Sequence, residues 1–134
     1  MGDIMKCAAL TGISSSIINE LKKGKPRTLE LQSAHNIISL MGVNPGDCIF
    51  ITSVDLDDLT TGDSGIMVNV ESITITMKRI MEYTHPFYYE ERERMSARIK
   101  LKYQDTTIAK NVEGIEWSRP TYVDIIMSSC YNAG

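Results

Sequence analysis

The chain has little of what marks the specialised protein classes. Three cysteines, Cys7, Cys48 and Cys130, stand far apart in 134 residues. A secreted disulfide framework or a zinc site shows even numbers or close pairs instead. Three reduced, buried thiols are therefore expected, with no metal ligand assigned. No apolar run approaches the roughly 18 residues of a membrane-spanning helix. The opening MGDIMK carries an acid where a secretory signal places bases. These absences predict a cytoplasmic protein with no membrane partner. Gly-rich phosphate loops, paired-carboxylate motifs and Ser or Cys nucleophile signatures are missing too. His35 and His85 have no neighbours at catalytic or ligand spacing, and His35 is expected to be partly exposed. No catalytic residue and no cofactor is assigned, and the expectation is a protein that is not an enzyme.

What is present fits a globular chain, 43% hydrophobic and 23% charged. The net charge of −3 argues against a uniformly basic surface, but its distribution is uneven. Residues 1–51 hold five Lys/Arg and four Asp/Glu (+1), whereas residues 52–134 hold nine and thirteen (−4). Lys22, Lys23, Lys25 and Arg27 lie within six positions, a local patch that suits an anion.

Hydrophobic spacing divides the chain at about residue 51. Asp3 is read as the cap of a helix over Ile4 to Leu10, stopped by Thr11-Gly12. Ser14 caps a second helix, Ser15 to Lys23, with Ile17, Ile18 and Leu21 inward and Gly24 as its stop. Thr28 opens a third, with Leu31, Ala34, Ile38 and Met41 at helical spacing. Asn44-Pro45-Gly46-Asp47 reads as a further helix start running to Phe50. Residues 52–65 form an acidic linker or loop. Beyond it the period falls to two: Ile73, Ile75 and Met77 alternate with Thr74, Thr76 and Lys78, and Ala97, Ile99, Leu101 and Tyr103 with Arg98, Lys100 and Lys102. Tyr122 to Met127 is a third strand, Thr106 to Lys110 a fourth, and residues 66–134 make an antiparallel β-rich domain. The predicted fold class is α+β, a short helical bundle (1–51) followed by a small antiparallel sheet.

The layout of residues 3–51 resembles the Cro/C1-type (XRE-family) helix-turn-helix of phage repressors. Ala8, Leu10-Thr11-Gly12-Ile13-Ser14, Ile18, Leu21, Gly24-Lys25 and Asn44-Pro45 carry the resemblance. It implies a DNA-facing second helix with Ser15, Ser16, Asn19 and Lys23 toward the duplex, and Lys25 and Arg27 near its backbone; the capping Ser14 and the basic Lys22 beside them complete the expected DNA-binding set. Small hydroxyls at a helix N-terminus meet phosphates or base edges, and Asn pairs bidentately with adenine. Two features depart from the family: it has one more helix before Asp3, and Glu20 would repel phosphate.

The function expected from this reading is a small sequence-specific regulator that binds double-stranded DNA. It would act as a homodimer, with the β-rich domain supplying dimerisation or a protein partner's surface. The alternative is a phage anti-defence inhibitor of anti-CRISPR type. There the acidic sheet would bind a nuclease, and the helix-turn-helix would dimerise or repress its own gene.

Overall fold

A computed structural model describes residues 4–85 and 88–126, with side chains outside 79–93. Seven strands form one sheet in the order β2-β5-β4-β3-β1-β7-β6. In chain order they are β1 (Ile4–Leu10), β2 (Arg27–Leu31), β3 (Cys48–Ile51), β4 (Ser64–His85), β5 (Tyr88–Ile108), β6 (Asn111–Glu113) and β7 (Tyr122–Ile126). Helices α1 (Ser15–Leu21) and α2 (Ala34–Leu40) span seven residues each. All strand pairs are antiparallel except β1 with β3.

The central strands bury both faces. Ala8, Leu10, Ile49, Ile51, Ile66 and Val68 point into one core, where α1 adds Ile18 and Leu21 and α2 adds Ile37 and Leu40. Their sequence neighbours Cys7, Ala9, Phe50 and Met67 point into a second core closed by Leu59, Val123 and Ile125. Each large apolar side chain so buried contributes about 1.5–3 kcal/mol. Two apolar environments explain the unbroken runs CAAL and CIFI, which a half-exposed strand would interrupt with polar residues.

This architecture corrects the expected fold class. The protein is mostly β, a mixed sheet with two short helices, and not a helical bundle followed by a small sheet. The helix-turn-helix likeness fails at its first element, because residues 4–10 are a strand held between β3 and β7. The segment after Thr28 fails too: β2 ends at Leu31, and α2 starts later, capped by Ser33. Asn44 to Asp47 is a turn and not a helix start. Its Asp47 N–H donates to the Asn44 carbonyl, the Asn44 N–H donates back to the Asp47 carboxylate, and strand β3 follows. Of the expected helices only α1 lies where the spacing placed it, opened by Ser14.

Segments from both halves of the chain are joined. β1 pairs with β7, β2 with β5 and β3 with β4, and in the acidic stretch 52–65 Leu56 and Leu59 are buried. Asn36 clamps α2 to the end of β1, accepting from the Thr11 N–H and donating to the Thr11 carbonyl, both at 3.0 Å.

Two further expectations change. His35, read as partly exposed, is buried. Its Nε2 lies 3.0 Å from both the Arg119 carbonyl and Thr121 Oγ1. Because that hydroxyl already donates to the Gly114 carbonyl at 2.7 Å, Nε2 carries the proton, and the buried Nδ1 has no partner. Cys7 is a buried free thiol, but Cys48 is disulfide-bonded and so not the reduced thiol expected. Cys130 lies outside the described residues.

Candidate functional site

Helix α1 forms because Ser14 ends an extended segment with its hydroxyl free to accept from the Ile17 N–H at 3.4 Å. The helix buries Ile18 and Leu21, which fixes the opposite face outward. Gly24, at φ +90°, turns the chain into β2, a backbone conformation that side chains with a Cβ resist.

The outward face of α1 does not stand clear of the body. Ser15, Asn19 and Lys22 line one wall of a cleft of about 630 Å³. The facing wall is the start of β4 and the end of β5, with Ser64, Thr106 and Thr107, and with Lys110 just beyond. Ile108 and Ile126 supply apolar surface, 40% and 36% exposed although large and hydrophobic. Gly65 sits in the lining because nothing larger fits: a Cβ there would stand 2.5 Å from the Ile51 carbonyl oxygen and 2.6 Å from the Phe50 ring. The charged groups of the lining are the Lys22 and Lys110 ammoniums and the Asp105 carboxylate.

The structure separates the residues that the sequence grouped. Ser15, Asn19 and Lys22 share the cleft. Ser14 and Ser16 are occupied with the helix start, their hydroxyl oxygens 2.7 Å apart. Lys23 donates to the Glu20 carboxylate at 2.8 Å, and Arg27 lies 3.4 Å from the same group. The Lys23 hydrogen bond, then its charge, hold the Glu20 carboxyl below the usual range, and Arg27 adds to this. Glu20, anomalous on a DNA-facing helix, is thus the counter-ion of two cluster cations. Lys25 is exposed in the turn after α1, without an ion-pair partner among the described residues. Ser64, Thr106, Thr107 and Lys110 escaped the sequence reading. They lie more than 40 positions from α1, and no local pattern signals that the strand ends close over the helix.

Among the described residues, no group of three or more His, Cys, Asp or Glu is placed to hold a metal ion. No helix among them is long and apolar enough to cross a membrane.

The chain is similar to an uncharacterized protein of Methanocaldococcus jannaschii, 30% identical over 101 residues. The alignment covers 75% of this chain but 62% of that relative, so the match spans less than two thirds of the archaeal protein's length. No solved structure matches. The matched family runs through β1, α1, β2 and on into β7, across both halves of the sheet and across the segment likened to a helix-turn-helix: the chain belongs to the family described as "protein of unknown function (DUF473)", matched over residues 5–123.

Proposed function

We propose that this protein binds single-stranded nucleic acid and holds one unpaired nucleotide in the cleft beside α1. The observation that carries this reading is the composition of that cleft. Hydroxyl and amide groups of Ser15, Asn19 and Ser64, two lysines against one carboxylate (Asp105), and apolar side chains surround about 630 Å³. That volume lies within the usual range for small-molecule sites. An unstacked base presents a flat apolar face and a polar edge, and its phosphate carries negative charge. Ile108 and Ile126 offer surface to the face, Asn19 and Ser15 donors and acceptors to the edge, and Lys22 and Lys110 charge to the phosphate.

Reading a duplex through α1 does not suit this geometry. The helix is seven residues long, about 10 Å, and its polar side faces across a concavity. A recognition helix must project far enough to lie in the major groove. An unpaired nucleotide enters a cleft without that requirement.

The test is titration of the full chain into a fluorescein-labelled single-stranded 12-mer and, by calorimetry, into a 5′-mononucleotide. Asn19→Ala and Lys22→Ala should each weaken both ligands by about tenfold, since a good polar contact to a base or phosphate contributes about 1–3 kcal/mol. If both variants bind as the parent does, the cleft is not the site. If the parent binds neither ligand at 50 mM salt, the reading is wrong.

A further inference from the structure

The face of β2–β5–β4 turned away from the α1 and α2 core has not entered the argument so far. On β5, Ala97, Ile99 and Leu101 point into that core, so their alternates Ser96, Arg98, Lys100 and Lys102 point out of it. Arg94 continues this row one step earlier. Register places Lys78 of β4 directly opposite Arg94, with Thr76 opposite Ser96, Thr74 opposite Arg98 and Ser72 opposite Lys100. The row therefore holds five exposed cations amid hydroxyls, with successive same-face positions about 6.8 Å apart. Among the described residues, two acids border it. Glu71 lies 3.7 Å from Lys100, and Glu30 of β2 stands opposite Arg98 without forming an ion pair.

A solvated sheet face ordinarily mixes the two signs. Here Lys78, Arg94, Arg98 and Lys102 have no ion-pair partner among the described residues, in a chain whose net charge is −3. Lys78 and Arg94 are like charges at directly paired positions, an arrangement that destabilises a ladder and that an added anion relieves. The row also leads somewhere. Three residues past Lys102, after a bulge between the Val68 and Met67 pairings, β5 reaches Asp105 and the wall of the cleft. Along the strand this is about 10 Å.

We infer that this outer face carries the sugar-phosphate backbone of the same single strand whose unpaired nucleotide occupies the cleft. The inference rests on the proposed function for the identity of the ligand, and adds a second surface with its own chemistry. Arg98, Lys100 and Lys102 neutralise consecutive phosphates, and the flanking Thr and Ser hydroxyls donate to phosphate oxygens. A mononucleotide reaches only the cleft; a longer strand reaches both surfaces.

The experiment compares the parent with the triple variant Arg98→Ala/Lys100→Ala/Lys102→Ala and with the charge-preserving triple Arg98→Lys/Lys100→Arg/Lys102→Arg. The probes are the single-stranded 12-mer and the 5′-mononucleotide, titrated between 50 and 200 mM salt. The alanine triple should weaken the 12-mer at least tenfold at 50 mM salt. It should also flatten the slope of log affinity against log salt by about 2, at roughly 0.7 per lost phosphate contact. Mononucleotide affinity should stay at the parent value, and the charge-preserving triple should keep the parental slope. An unchanged slope in the alanine triple, with Asn19→Ala still weakening both ligands, would overturn this inference and leave the cleft reading standing. A flattened slope with Asn19→Ala and Lys22→Ala silent would retain the outer face and remove the cleft. Equal affinity for a 12-base-pair duplex would overturn the assignment to a single strand.

Discussion

At Glu20 one carboxylate meets two cations, Lys23 at 2.8 Å and Arg27 at 3.4 Å. Composition counts four bases between residues 22 and 27, but only Lys23 and Arg27 meet Glu20, and Lys22 alone of the four lines the cleft. A charge cluster in sequence is thus a poor measure of available charge in space. Cys7 makes a comparable point about reactivity. Its thiol is pushed up from the ordinary 9.0 to about 12, by burial first and by the Asp124 carboxylate second. Between those values the unfolded chain gives up the proton while the folded one keeps it. This contribution to stability is therefore full below about pH 9 and is lost as pH rises toward 12, by at most about 1.4 kcal/mol per unit. Urea unfolding of the parent and of Cys7→Ala at pH 8 and pH 10 checks this. The parent should lose more stability over the interval than the variant does, and parallel losses would count against the account.

Elements differ in how far the sequence betrays them. The half-exposed strands were legible: Ala97-Ile99-Leu101 alternate because one face meets the core and the other meets water, while of Ile73-Ile75-Met77 only Ile73 packs on that core and Ile75 and Met77 stay exposed. The buried strands were not. In β1, Cys7 to Leu10 are all buried, four in succession, and such a run fits a helix as well as a strand. Ile4, Cys7, Ala8 and Leu10 then satisfy helical spacing by default, and β3 repeats the problem with Ile49, Phe50 and Ile51. What decides these cases is pairing with partners up to 122 positions away (Ile4 with Ile126), which a local window cannot contain. Helix α1 was legible through its cap, and the cap serves stability. Ser14→Ala should lower unfolding free energy by about 1 kcal/mol, read from the urea midpoint at an unchanged slope. No loss would mean that the 3.4 Å contact to the Ile17 N–H contributes nothing. Of the candidate site, one wall was legible, since Ser15, Asn19 and Lys22 sit one turn apart on α1. The facing wall depends on where β4 begins and β5 ends, which is set by tertiary closure.

The molecule as a whole does not divide at residue 51. Every strand of residues 4–51 has a neighbour in residues 64–126, through β1–β7, β2–β5 and β3–β4. A fragment of residues 1–51 retains the β1–β3 pairing alone, and a two-stranded unit is marginal in water. Its far-ultraviolet circular dichroism should show neither a helical bundle nor a cooperative thermal transition, whereas the full chain should unfold in one step. A folded fragment would refute the interlocked sheet. The β1–β7 ladder also sets an order of events during synthesis. Ile4 pairs with Ile126 and Ala8 with Tyr122, so β1 leaves the ribosome long before the strand it pairs with. About 110 further residues must be polymerised before β1 meets β7, roughly 6–20 s at ordinary elongation rates. Throughout that interval the apolar run Cys7 to Leu10 lacks one of its two flanking strands. A nascent-chain chaperone would find its binding segment there.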